Sequence, residues 1–173
     1  MQISLVKNSF YFTYIFLITT GTICFIEALR NPDPRVRHIM NLETCISVVA
    51  GYFYGLFVDK IEKSEKSEKS KKSDNKTNET LPLKEINDNR YTDWGISTPL
   101  MLLVLCLVLG MENKVVVKFW TFMTILLFNF LMLGSGYLGE VGTLQKTNAN
   151  MIGFVFFTLM FGTIWNVYMK NKK

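Results

Sequence analysis

Apolar residues dominate five long stretches of the chain, and polar segments separate them. The stretches cover residues 9–29, 42–59, 92–112, 115–138 and 150–169. A helix that crosses a bilayer needs about 20 mainly apolar residues. Because each stretch has roughly that length, the pattern predicts an all-α bundle of five transmembrane helices, A to E. We expect all five to belong to a single membrane domain, residues 1–173.

Residues 60–90, between helices B and C, break this pattern. The run KIEKSEKSEKSKKSDNKTNET consists largely of Lys, Glu and Ser and has no apolar periodicity. Such a composition cannot build a core, so it predicts a disordered, solvated loop. Asn75 and Asn78 each begin a glycosylation sequon in this loop, which is informative only if the loop faces the exterior.

Positive charge in the short connections predicts the orientation. With the N-terminus outside, the A–B loop carries Arg30, Arg35 and Arg37 on the inner side, together with the lysines of the C–D loop and the C-terminal tail. This arrangement obeys the positive-inside rule. The lysines of the 60–90 loop would then lie outside, against the rule, but interleaved glutamates weaken their contribution. We therefore predict that the N-terminus and the 60–90 loop are outside and the C-terminus is cytoplasmic.

Composition excludes several classes of protein. A hydrophobic fraction of 49% indicates a membrane protein, and the net charge of +5 lies in loops and the tail, not along a face that would bind nucleic acid. The three cysteines, Cys24, Cys45 and Cys106, lie in apolar stretches without C-x-x-C spacing. We therefore expect them to be buried packing residues and not to form disulfides or a metal site. His38, the only histidine, lies in the A–B loop, so we expect no enzyme.

Helix C carries ionisable residues into an apolar stretch. Arg90, Asp93, Ser97 and Met101 follow one another at spacings of three, four and four residues and share one helical stripe. An ionisable group at bilayer depth is costly and is a functional hypothesis by default. Asp93 could pair with Arg90 and accept a hydrogen bond from Ser97. On these residues alone, the interfacial end of a span would also explain the charges.

A proline interrupts the hydrogen-bond ladder of helix C. Pro99 has no N–H, so the carbonyl of Gly95 loses its helical partner. The neighbouring Thr98 hydroxyl is the kind of group that can satisfy such a break in lipid.

Two motifs resemble the microbial, or type 1, rhodopsins. RYTDWGISTPLMLL, residues 90–103, matches that family's third-helix pattern R-Y-x-D-W followed by x-x-[ST]-T-P-L, and GSGYLGE, residues 134–140, resembles a glycine pattern in its fourth helix. Glu27, Arg37 and Glu43 around the A–B loop are similar to the rhodopsins of giant viruses. Residues 9–169 are thus identified as a member of the family.

The resemblance implies a retinal site. Asp93 would be the counterion and first proton acceptor of a protonated retinal Schiff base, in a network with Arg90, Ser97 and Tyr54. A nearby carboxylate keeps such a cation protonated in an apolar pocket. Thr98 would face Asn129, a pair that times the photocycle in some relatives. The implied retinal-binding residues are Tyr91, Trp94, Thr98, Met101, Asn129, Met132 and Gly136. For Trp94, Met101, Met132 and Tyr54, ordinary packing is the alternative.

Two departures from the family pattern bear on function. Outward proton pumps carry an acidic residue 11 positions after the counterion, where this chain has Val104. Glu43 could substitute, could line an ion path with Glu27 and Arg37, or could be solvated at the interface. The family's seventh helix supplies the lysine that binds retinal, and no lysine lies mid-span in this sequence. A second chain supplying helices F and G, a truncated product or another role would each account for this.

Two functional hypotheses follow. The first is a retinal photoprotein of the light-driven ion-transport class, either a proton pump or a light-gated cation channel. Its expected partners are the bilayer, retinal, a chain that supplies helices F and G, and further copies of itself. The second is a non-photoactive membrane scaffold, in which small residues such as Gly134 and Gly136 serve helix association.

Overall fold

The computed structural model describes residues 2–71 and 83–170, and these are almost entirely helical. The helices are α1 (Gln2–Arg30), α2 (Pro34–Lys71), α3 (Leu83–Asn113), α4 (Phe119–Val141) and α5 (Lys146–Ile164), and a π-helical turn follows at Trp165–Met169. Each of the five helices contains a stretch long and apolar enough to cross a membrane. The predicted all-α architecture with five spans is confirmed. The sequons at Asn75 and Asn78 lie outside the described residues.

Helical structure extends further around the B–C connection than the sequence predicted. Because α2 continues to Lys71 and α3 begins at Leu83, the prediction of disorder is wrong for residues 60–71 and 83–90. Lys and Glu are good helix formers, and a lysine four residues after an acidic residue stabilises a helix. Lys63 Nζ lies 2.6 Å from Asp59 Oδ2 in this arrangement. A lack of apolar periodicity removes a buried face, but it does not prevent a helix.

A tight turn separates α3 from α4, which begins at Phe119 and not at residue 115 as predicted. Lys114 adopts a left-handed conformation (φ 57°), and the Val115 N–H donates to the Gly110 carbonyl at 2.9 Å. This is the Schellman pattern that ends helices. A Cβ on Gly110 would lie 2.6 Å from the Val115 carbonyl oxygen, so only glycine permits this close approach.

The helices form two compact units, Met1–Asp93 and Trp94–Lys173. In the first unit, α1 and α2 form an antiparallel hairpin whose connection spans only residues 31–33. Asp33 caps α2, because its Oδ1 accepts a hydrogen bond of 2.9 Å from the Arg35 N–H, and Pro34 occupies the first helical position. This backbone hydrogen bond lowers the pKa of the Asp33 carboxyl.

Small residues bring α1 and α2 close together. Ser47, Gly51 and Gly55 recur every fourth residue on α2. A Cβ on Gly21 of α1 would lie 2.9 Å from Ser47 Cβ, and a Cβ on Gly51 would lie 3.1 Å from Ile18 Cδ1. Small residues at such spacing let transmembrane helix backbones approach each other. The hairpin is therefore held by close packing along most of its length.

The second unit contains α4, α5 and the part of α3 from Trp94 onward. A Cβ on Gly139 would lie 2.5 Å from Ala149 Cβ, and a Cβ on Gly153 would lie 3.1 Å from Ser135 Oγ, so small residues also join α4 to α5. One buried apolar cluster connects all three helices and the π-helical turn. Its members are Leu102, Cys106, Ile125, Met160, Ile164 and Tyr168.

Large apolar side chains cover the outward helix faces. Phe12 is 64% exposed, Trp120 81% and Phe154 69%. Such faces suit a bilayer, where lipid replaces water around the protein. The expectation that all three cysteines are buried is correct for Cys106 but wrong for Cys45, which lies on an exposed face of α2.

Candidate functional site

The two central residues of the polar stripe of α3 are buried inside a membrane span. Asp93 is 3% exposed and Ser97, one helical turn later, is 4% exposed. Both lie inside the span Asn89–Asn113, whereas Arg90, near its beginning, is exposed. A buried carboxylate within a span is expensive to maintain and marks a functional position. Asp93 is therefore the centre of the candidate site.

The expected contact between Thr98 and Asn129 is present. Asn129 is 1% exposed, and its Nδ2 donates a hydrogen bond of 2.9 Å to Thr98 Oγ1. The Thr98 hydroxyl in turn donates to the carbonyl of Trp94, one residue before the Gly95 carbonyl that Pro99 leaves without its helical partner. The bond links α3 to α4 and fixes the orientation of both side chains. Its part in timing a photocycle stays a prediction.

The other residues predicted to contact retinal differ in burial. Tyr91 and Trp94 on α3 are half-buried, as are Met132 and Gly136 on α4. Met101 on α3 is 47% exposed. Their retinal-binding roles stay predictions.

Tyr54 lies in an aromatic cluster of the α1–α2 hairpin. Its ring centroid is 5.6 Å from those of Phe10 and Phe57, and the three rings pack with Phe53 and Ile61. Aromatic pairs at this distance stabilise packing beyond the buried area alone. The structure thus gives Tyr54 a packing role inside the hairpin, and its predicted place in the counterion network stays a prediction.

The three residues of the predicted ion path are distributed around the α1–α2 connection. Glu27 Oε1 lies 3.3 Å from Arg30 Nη1, so its nearest cation is on its own helix. Arg37 is exposed and Glu43 is half-buried. Within the described part of the chain, no ion pair joins these three residues to one another. Their role in an ion path stays a prediction.

Sequence reasoning missed a buried polar pair that consists of Cys106, near the end of α3, and Tyr168, in the π-helical turn after α5. Tyr168 and Cys106 are both 0% exposed and belong to the apolar cluster of the second unit. Tyr168 falls in the last turn of the fifth span, where its sequence neighbours Lys170 and Lys172 indicate a membrane boundary. The signal that could have found it is the spacing of Met160, Ile164 and Tyr168, which recur at every fourth residue and so share one helix face.

The family is shown by comparison with known proteins. Residues 5–173 match the model for bacteriorhodopsin-like proteins. The chain belongs to this family of membrane proteins. No curated protein matches the chain.

Solved structures agree with this assignment. The crystal structure of viral rhodopsin OLPVRII is 48% identical, with a TM-score of 0.79 over 96% of this chain and 73% of that one. The expected similarity to viral rhodopsins is thus confirmed. A blue light-absorbing proteorhodopsin from Med12 is 17% identical (TM-score 0.71, 97% of this chain and 70% of that one). Xanthorhodopsin, a light-driven ion pump with dual chromophore, is 22% identical (TM-score 0.71, 99% and 68%). These last two similarities show the fold alone.

Proposed function

We propose that this chain forms part of a retinal photoprotein that transports ions in response to light. The observation that carries the proposal is the carboxylate of Asp93, which is 3% exposed inside a membrane span and one helical turn from the buried Ser97. A carboxylate is kept in such a place when a cation lies beside it. Family membership makes the protonated imine of retinal the natural cation.

The residues present fit the non-covalent part of a retinal site. Bound retinal would supply the light-absorbing polyene and the imine cation. Asp93 would neutralise that cation and accept a proton, and Ser97 would hydrogen-bond the carboxylate. The bond between Asn129 and Thr98 would hold α3 against α4 beside the polyene. Lysines lie only near the ends of the described spans, so covalent attachment requires a lysine from a span outside residues 1–173.

The residue 11 positions after Asp93 bears on the transport type. Val104 is 7% exposed, and a buried valine cannot return a proton to the imine. This argues against an efficient outward proton pump and in favour of a slow pump or a light-gated channel. Glu43, half-buried on α2, is the available carboxylate for either mechanism.

We propose an orientation with the N-terminus outside and the C-terminus in the cytoplasm. The connection at residues 31–33 and the turn after α3 would then lie inside, next to Arg30, Arg35 and Lys114. Positive charge in short inner loops supports this orientation. Glycan attachment at Asn75 or Asn78 in a eukaryotic membrane would test it, because only the outer side acquires glycan.

Reconstitution with the last two helices of the family tests the proposed function. The chain would be coexpressed with a fragment carrying the last two helices of a viral rhodopsin, and all-trans retinal would be added to the membranes. We expect a visible absorption band and a light-evoked current. A current at zero voltage without an ion gradient indicates a pump, whereas a current that follows the gradient indicates a channel.

Two controls make this experiment decisive. Asp93→Asn should shift the band to longer wavelength and abolish or greatly reduce the current. Asp59→Asn should change neither, because Asp59 is an exposed partner of Lys63. The same fragment paired with the first five helices of the viral rhodopsin shows that the assembly method works. If that pair forms pigment and this chain does not, the proposal is wrong.

One observation supports the alternative hypothesis of a non-photoactive scaffold. Gly134 lies on an exposed face of α4, and a Cβ added there would meet nothing within 4 Å. Such a surface leaves room for another helix to approach. Under this alternative, no visible band forms with retinal, and cysteine pairs introduced beside Gly134 cross-link copies of the chain.

A further inference from the structure

Tyr168 carries a buried hydroxyl at the end of the fifth span. The residue is 0% exposed, and its hydroxyl lies beside the thiol of Cys106, which is also 0% exposed. Among the described residues, the hydroxyl makes no hydrogen bond of good geometry. Buried polar groups in proteins nearly always have a partner, which is either another protein group or an ordered water.

Tyr168 packs in a buried apolar cluster. Leu102 of α3, Ile125 of α4, and Met160 and Ile164 of α5 are each at most 7% exposed and pack in the same cluster. None of these side chains can accept or donate a strong hydrogen bond. The Cys106 thiol, a weak donor and weak acceptor, is therefore the only side chain of the buried cluster that can contribute to a polar site with Tyr168.

We propose that Tyr168 and Cys106 bind one internal water molecule. A buried water needs two to four polar partners, and the hydroxyl and the thiol supply two. Cys106 follows Thr98 by eight residues, which is about 12 Å along the axis of α3. The apolar side chains of Leu102 and Ile125 lie between the two polar positions. The water would occupy a second polar position, near the membrane side where α3 and α5 end, and binding does not require retinal.

Water-edited solid-state NMR on the chain in lipid tests the site. Tyrosine labelled with ¹³C at Cζ gives a signal for Tyr168, assigned by its loss in Tyr168→Phe. We expect this signal to receive magnetisation from water, and Cys106→Val to reduce the transfer at least twofold. The matched control is Cys24→Val, a half-buried thiol of α1 outside the cluster, which should leave the transfer unchanged.

Infrared spectroscopy of the S–H stretch gives an independent measurement. In the wild-type chain the Cys106 band, assigned by its loss in Cys106→Val, should lie at the low wavenumber of a hydrogen-bonded thiol. It should move to higher wavenumber in Tyr168→Phe.

Three results would contradict the proposed water site. One is a Tyr168 signal that is present in the unedited NMR spectrum but absent from the water-edited one. The second is water transfer unchanged by Cys106→Val. The third is a hydrogen-bonded thiol without any water transfer to Tyr168, which would indicate a dry, direct bond between the two side chains.

Discussion

Asn129 donates a hydrogen bond of 2.9 Å to the Thr98 hydroxyl, and that hydroxyl donates a hydrogen bond to the carbonyl of Trp94. Two side chains that lie 31 residues apart in the sequence thus join α3 to α4 inside a membrane span. Interhelical hydrogen bonds in membranes contribute on average about 0.6 kcal/mol and at most about 1.7 kcal/mol. The bond is a modest contribution to stability and a precise positional constraint.

A double-mutant cycle measures the coupling between these two residues. Thr98→Val and Asn129→Leu should each lower the free energy of unfolding, and together they should lower it by less than the sum, with a coupling of about 0.6–1.7 kcal/mol. Unfolding in SDS, followed by circular dichroism, supplies the free energies. Thr124→Val is the control, because the exposed Thr124 hydroxyl bonds only the Trp120 carbonyl of its own helix. Additive effects of Thr98→Val and Asn129→Leu would contradict the contact.

The contact between Gly139 and Ala149 predicts a size limit at the α4–α5 interface. An alanine at position 139 places its Cβ 2.5 Å from Ala149 Cβ, so the helices must separate. We expect Gly139→Ala to destabilise the protein by about 1–3 kcal/mol, the usual cost of overpacking. Adding Ala149→Gly should recover most of this loss. Gly134→Ala, where a Cβ meets nothing within 4 Å, should be neutral or slightly stabilising.

The left-handed conformation of Lys114 predicts a stabilising substitution. A non-glycine residue in this conformation is disfavoured by about 1–2 kcal/mol, part of which glycine loses again as chain entropy. Lys114→Gly should therefore raise the free energy of unfolding by about 0.5–1 kcal/mol. Glu112→Gly, two residues earlier in the regular helix, should lower the free energy of unfolding instead. Equal destabilisation by both substitutions would show that the turn does not end α3 as described.

The cap formed by Asp33 predicts that the stability of the start of α2 depends on pH. The Arg35 N–H holds the pKa of this carboxyl below its ordinary value of 3.8. Because the folded-state pKa is lowered, the carboxylate stabilises the helix start above pH 3.8, and this contribution is lost as the pH falls through the folded-state pKa.

An NMR titration of the Asp33 carboxyl carbon measures this effect. Its midpoint should lie below 3.8. Pro34→Ala, which leaves the Asp33 carboxylate and the Arg35 N–H in place, should preserve the low value. A midpoint at or above 3.8 in the wild-type chain would show that the cap is absent in solution.

The sequence by itself determined the class of the fold and the central residue of the candidate site. Five stretches of roughly 20 apolar residues are sufficient to indicate five membrane helices, because a helix of that length satisfies its backbone and spans the bilayer, whereas a barrel strand needs only about 9–11 residues. Asp93 was recognisable because a carboxylate inside such a stretch is rare and because RYTDWGISTPLMLL resembles the third-helix pattern of the microbial rhodopsins. Residues 60–71 were mistaken for a loop, since apolar periodicity reports a buried face and not helix formation.

Tertiary structure decided which side chains meet. That Ser47 lies against Gly21, or Asn129 against Thr98, depends on the register of one helix along another. The burial of Tyr168 beside Cys106 depends on how side chains 62 residues apart in the sequence pack into one cluster. Helix formation depends on neighbours in the sequence, whereas helix register is set by the packing of residues that are far apart in it. The sequence therefore predicted the membrane spans, and the packing between helices determined the contacts of the candidate site.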